Sequence, residues 1–61
     1  MRKIQGKYYD NGWKDFTGTF HQWGYDCEQN NDGNVMWSIA IVELEDGTII
    51  TPNASHVKFL N

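Results

Sequence analysis

Several stretches of this chain show a period of two, which sends successive side chains to opposite faces of a strand. No segment sustains the 3.6-residue period of a helix, so the prediction is an all-β fold. The clearest element is Trp37-Ser38-Ile39-Ala40-Ile41-Val42-Glu43-Leu44, rich in β-branched residues and closed by Glu45-Asp46-Gly47. An Asp-Gly pair followed by Thr48-Ile49-Ile50-Thr51 predicts a hairpin whose two-residue turn takes positive φ at both positions. Alternation places Met36, Ser38, Ala40, Val42 and Leu44 on one face, and Trp37, Ile39, Ile41 and Glu43 on the other. Both faces are substantially apolar. A small barrel has a single interior, so one of them must be covered by another segment or another molecule.

Upstream, strands over residues 4–9 and 13–20 flank Asp10-Asn11-Gly12, a second hairpin-type turn. Phe16, Gly18 and Phe20 alternate on a strand that the glycine lets another backbone approach closely. Trp23 and Tyr25 extend the aromatic series. Residues 26–34 (DCEQNNDGN) then read as a polar loop with a mobile tip. Pro52 blocks continuation of the 48–51 strand, Pro52-Asn53-Ala54-Ser55 has the composition of a single 3-10 turn, and residues 56–60 form a last short strand. This succession resembles the SH3-like small barrel of SH3, Tudor and KOW modules, over about residues 16–60. The expected architecture is therefore an all-β, SH3-like barrel of about five short antiparallel strands, with a single 3-10 turn before the last.

Length and composition narrow the picture. A chain of 61 residues holds one small domain, 1–61, and with 39% apolar residues and nine aromatic side chains it is no disordered acidic tail. One cysteine allows neither an internal disulfide nor a four-cysteine zinc site, so hydrophobic burial must carry the fold. The longest apolar run, Ile39-Ala40-Ile41-Val42, is far below the ~20 residues of a membrane span. Met1-Arg2-Lys3 leads into polar sequence and not an apolar signal segment, so a cytoplasmic setting without membrane association is expected.

The net charge of -3 is unevenly spread. Arg2, Lys3, Lys7 and Lys14 lie in the first fourteen positions. No lysine or arginine occurs from Asp15 through Val57, a stretch holding Asp15, Asp26, Glu28, Asp32, Glu43, Glu45 and Asp46. That middle is unsuited to phosphate, because nucleic-acid affinity rests on lysine and arginine contacts.

Several constellations fail on chemistry. Cys27 with His21 or His56 has the residue types of a nucleophile and base, yet also needs an orienting group and an oxyanion site on a very small scaffold. A zinc site from His21, Asp26, Cys27 and His56 would span a 29-residue gap that matches no finger spacing. Glu28-x-Asn30-x-Asp32-Gly33 begins like a calcium loop, but Ile39 stands where a bidentate glutamate is required. Asn53-Ala54-Ser55 matches a glycosylation triplet that the expected cytoplasmic setting leaves unused. No catalytic residue, metal or cofactor is expected.

The aromatic residues carry more content. Phe16, Phe20 and Phe59 suit the core, whereas Trp23, Tyr25 and Trp37 flank the 26–34 segment where SH3-like modules place a ligand groove. With Asp26, Glu28 and Asp32 beside them, they are the expected binding residues for a partner with a basic surface. Trp37, Ile39 and Ile41 are the expected interface of a homodimer. Phe20-His21-Gln22-Trp23-Gly24-Tyr25, together with Ala40-Ile41-Val42-Glu43-Leu44-Glu45-Asp46-Gly47 and Val57-Lys58-Phe59, resembles small uncharacterised proteins of temperate phages of Gram-positive bacteria. The resemblance implies a non-enzymatic accessory protein acting in a bacterial host cell on a host or phage protein, including as an inhibitor of a defence or nucleic-acid enzyme. The competing expectation is a small nucleic-acid-binding barrel, with aromatics stacking on bases and Arg2, Lys3, Lys7 and Lys14 meeting phosphates.

Overall fold

The computed structural model describes residues 2–60. Its five strands are β1 (Arg2–Tyr9), β2 (Trp13–Asn30), β3 (Gly33–Glu43), β4 (Ile49–Ile50) and β5 (Val57–Phe59), with a one-turn 3-10 helix, η1 (Ala54–His56), ahead of β5. All pair antiparallel in one sheet of order β4-β3-β2-β1-β5. Three successive hairpins build the meander, and β5 returns to lie beside β1. The closed barrel expected from the sequence is not formed: β4 and β5 stand at opposite edges with no ladder between them among the described residues. Closure would need long, staggered edge strands. Here β4 has two residues and β5 three, and beyond β4 Pro52 has no N–H to extend a ladder.

The turns are where sequence expectation and structure part. After β1, Asp10-Asn11-Gly12 makes the expected hairpin turn, with Asn11 in the left-handed region at φ 56°. Between β3 and β4 the loop spans three residues, 45–47, not two. Gly47 N–H donates to the Leu44 carbonyl at 2.9 Å, and Leu44 N–H donates to Thr48 at 2.8 Å. Only Gly47 takes positive φ, at 89°. Asp46 needs none, because its carboxylate accepts the Thr48 N–H at 3.0 Å and holds the turn from its side chain. The segment read as a polar loop is instead strand almost throughout. β2 runs into it as far as Asn30, β3 leaves it at Gly33, and only Asn31-Asp32 turn between them, with the Asn30 side chain accepting the Asp32 N–H at 2.9 Å.

The core fills one face of the curled sheet. Ile4, Phe16, Ala40, Val42 and Ile50 are buried there, with Tyr8, Phe20, Leu44, Val57 and Phe59 packed against them. Ile4 and Val42 lose all contact with solvent, each stabilising the fold by ~1.5–3 kcal/mol. The backbone comes close enough at two glycines that no side chain would fit. A methyl on Gly6 would collide with the main-chain carbonyl of His56, and one on Gly18 would lie 2.7 Å from that of Glu43. A β-bulge at His21 sets two residues of β2 against one of β3, so Phe20 pairs with Val42 while Gln22 pairs with Ile41. That extra residue shifts the alternation, and Trp23, not Gln22, follows Phe20 on the core face.

Candidate functional site

All six expected binding residues lie on one element. Beyond the bulge, residues 25–30 of β2 and 33–38 of β3 pair only with each other and form a two-stranded ribbon, which Trp23 and Gly24 lead into. Strand alternation then divides the six. Trp23 and Tyr25 project from the core face; Asp26 and Trp37 stand opposite each other on the reverse face, with Glu28 paired to Val35 beyond them. Asp32 sits in the turn at the far end. They do not converge on one patch.

Trp23 is nonetheless anchored. Its ring lies 4.9 Å from Phe20 and 5.9 Å from Phe59, which are themselves 5.1 Å apart edge to face. The Arg2 guanidinium sits 3.6 Å above the Phe59 ring, an arrangement favoured by the ring quadrupole. Trp23 keeps 51% of its surface exposed and Tyr25 70%, so this cluster ends the core and opens to solvent.

On the reverse side of the ribbon's base is a groove of about 480 Å³. Tyr8, Tyr9 and Trp13, from either side of the first turn, meet Trp37 and Asp26 across it, with Pro52, Asn53 and His56 closing one end. Trp13 packs edge to face between Tyr9 at 5.6 Å and His56 at 5.2 Å. Asp10 stands at the rim in an exposed ion pair with Lys14 at 3.5 Å. Asp26 accepts the Cys27 N–H at 2.8 Å, and no lysine or arginine among the described residues forms an ion pair with it. Sequence reasoning named Trp37 and Asp26 but missed Tyr9, Trp13, Pro52 and His56 as their companions. The signal was present: a hairpin through Asp10-Asn11-Gly12 makes Tyr9 and Trp13 cross-strand neighbours.

The remaining candidates are scattered. Cys27 is exposed on the same extended strand as His21, and six residues of strand separate them by about 20 Å. His21 instead faces Glu43, Nε2 to Oε1 at 2.9 Å, and His56 belongs to the Trp13 cluster. No group of three His, Cys, Asp or Glu side chains gathers at metal-binding distance among the described residues. Of the basic residues, Lys7 pairs with Asp15 at 3.7 Å and Lys14 with Asp10. Of the expected dimer residues, Ile39 is buried by its own chain to 7% exposure, while Trp37 and Ile41 are half-buried. Ile39 reaches across Gly24, which has no side chain, and Asn53 bridges it on its other flank. The Asp46 carboxyl is held below its ordinary pKa by hydrogen bonds from the Thr48 hydroxyl and N–H. No helix among the described residues is long and apolar enough to cross a membrane. Compared with protein-family models, characterised proteins and solved structures, the chain finds no match.

Proposed function

We propose that this protein is a non-enzymatic interaction module that takes an extended segment of a basic partner protein into the groove between Trp13 and Trp37. The observation that carries this reading is the lining itself: Tyr8, Tyr9, Trp13, Trp37 and Pro52 around one depression, with the Asp26 carboxylate open at its side. Rigid aromatic rings bury large areas at small conformational cost, and aromatic-lined grooves suit extended, proline-containing segments that arrive already ordered. Asp26 adds a charge that selects a lysine or arginine beside the apolar contact and speeds the encounter. The order of elements, a strand meander with a single 3-10 turn before the closing strand, supports relating this open sheet to SH3-like barrels. The phage-protein resemblance read from the sequence points to a host or phage protein as the partner, with inhibition following where the bound segment is one the partner needs. Nucleic acid is the less favoured occupant, since Lys7 and Lys14 already face Asp15 and Asp10.

The test is retention from nuclease-treated bacterial lysate on the immobilised parent, Trp13→Ala and Asp26→Asn proteins, followed by titration of the purified partner at rising salt. The parent is expected to hold a basic protein with weak salt dependence. Trp13→Ala should weaken it at least tenfold, and Asp26→Asn several-fold. Retention of nucleic acid alone, with affinity falling steeply in salt, or a partner indifferent to Trp13→Ala, overturns the reading.

A further inference from the structure

Among the described residues most stretches of open strand edge are guarded. Residues 13–18 of β2, which only β1 pairs, carry Lys14 and Asp15, and the edge of β1 beyond β5 is three residues, 7–9, headed by Lys7. β4 offers two residues before Pro52, and β5 offers three with Lys58 in the middle. The free edge of β2 beyond the body begins at the His21 bulge and carries Asp26 and Glu28. Short edges, prolines, bulges and charges are the devices by which edge strands avoid pairing with other chains. The edge at residues 33–38 of β3 has none of them. Gly33-Asn34-Val35-Met36-Trp37-Ser38 is uncharged and free of proline and bulge, and it is unpaired by β4, whose line of pairing ends at the Ile39–Asn53 bridge.

We propose that this edge pairs with the same edge of a second copy, β3 against β3 about a two-fold axis through Met36, giving one sheet continuous across two molecules. The direction of the peptide groups supports that register. Ala40 N–H donates to Pro52 at 3.0 Å, on the β4 side. In an antiparallel strand alternate residues aim both peptide groups to the same side, so Ser38, Met36 and Asn34 aim theirs at the open edge. Centred on Met36, each chain's Met36 exchanges two hydrogen bonds with its copy, and the Asn34 carbonyl accepts the Ser38 N–H of the other chain, while the Ser38 carbonyl faces Ala54 in the Ile39–Asn53 bridge. Val35 then stands beside the Trp37 of the other chain, an aromatic and β-branched pair of the kind that stabilises sheets. No charged residue meets a like charge in this ladder. Asp26 and Glu28 lie on β2, one strand further out on either side, so the two copies' acids are separated by about three strand spacings, ~14 Å. Met36, 62% exposed in the single chain, becomes the centre of the joint. The interface uses the edge of β3, in place of the Trp37, Ile39 and Ile41 face expected from the sequence.

Sedimentation equilibrium over a micromolar to millimolar range tests it, with far-UV circular dichroism reporting the fold. The parent is expected to sediment at twice the chain mass at the upper concentrations. Met36→Lys and Met36→Glu, each placing like charges face to face, should be folded monomers, and an equimolar mixture of the two should recover the dimer mass. Met36→Pro removes an N–H that points away from β2 and should also be monomeric. If Met36→Pro fails to fold, the charge-swap mixture still decides. A parent that stays monomeric throughout, or a dimer that survives Met36→Lys, overturns the proposal. Met36 lines neither the groove nor the aromatic cluster, so failure here leaves the groove reading standing, and failure of the Trp13→Ala test leaves this one standing.

Discussion

The same two strands live under different conditions along their length. Where β2 and β3 run through the body they are flanked by β1 and β4 and have a core on one face, and Phe16, Ala40 and Val42 are buried. Past the bulge that support falls away, and beyond Gly24 and Ile39 they have only each other. Val35, Met36, Trp23 and Tyr25 are all more than half exposed there. In the body, burial dictates which residue faces where; in the ribbon, a turn and a register inherited from the body do so. A two-stranded hairpin is marginal in water when it stands alone, and cross-strand pairs contribute only ~0.2–1 kcal/mol each. The ribbon is therefore strand by attachment, and its outer half is free to serve as contact surface.

The sharpest break in this comparison should come from cutting an apolar side chain back to alanine in each region. Ile4→Ala empties a fully buried site and should lower stability by ~2–5 kcal/mol, a large share of what a domain this small possesses. Val35→Ala on the ribbon should change it by less than ~0.5 kcal/mol. Urea denaturation monitored by tryptophan fluorescence reads both, and comparable losses would mean that the ribbon folds as part of the core.

Trp23 sits on the boundary between the regions and sharpens where it falls. Its contacts with Phe20 and Phe59 should make Trp23→Ala cost about 1 kcal/mol, within the range of an aromatic pair beyond its buried area. Tyr25→Ala, one position further out on the same face, should be neutral in the same measurement. An equal cost for both would move the boundary of the body outward along β2.

The smallest effect concerns the body's own turn. A carboxyl whose folded pKa is lowered contributes stability that is present above its unfolded pKa and lost as pH falls through the folded value. The hydrogen bonds from Thr48 lower that of Asp46, so Asp46→Ala should be less stable than the parent at pH 7. The two should converge as pH falls through the lowered folded value. A gap that persists unchanged in acid would assign the turn's stability to Gly47 and the backbone.

These contrasts also explain what could be read from the sequence. Strand alternation and turn residues located two of the three hairpins and the 3-10 turn, because Asp10-Asn11-Gly12, Asp46-Gly47 and Pro52-Asn53 act locally. Residues 26–34 were misread because their polar composition is the mark of a loop only when burial selects strands; here a two-residue turn and pairing alone do so. The bulge at His21 leaves no local trace, since the extra residue is recognised only against its partner strand. Without it, alternation from Phe20 would send Trp23 to the reverse face. The groove escaped for a related reason. Tyr9 with Trp13 follows from one turn, but their meeting with Trp37 and Pro52 depends on how far the whole sheet curls.

The placement of β5 sets a clock on assembly. Each of the other ladders joins strands that follow one another in the chain, so each can form by closing a short loop. The ladder of Ile4 with Phe59 joins residues near opposite ends of the sequence, and closing so long a loop costs more entropy before any contact rewards it. The meander is then the early structure and β5 the last arrival. It docks where the bare backbone of Gly6 admits the His56 carbonyl, so the step that finishes the sheet also seats His56 against Trp13 and completes the groove.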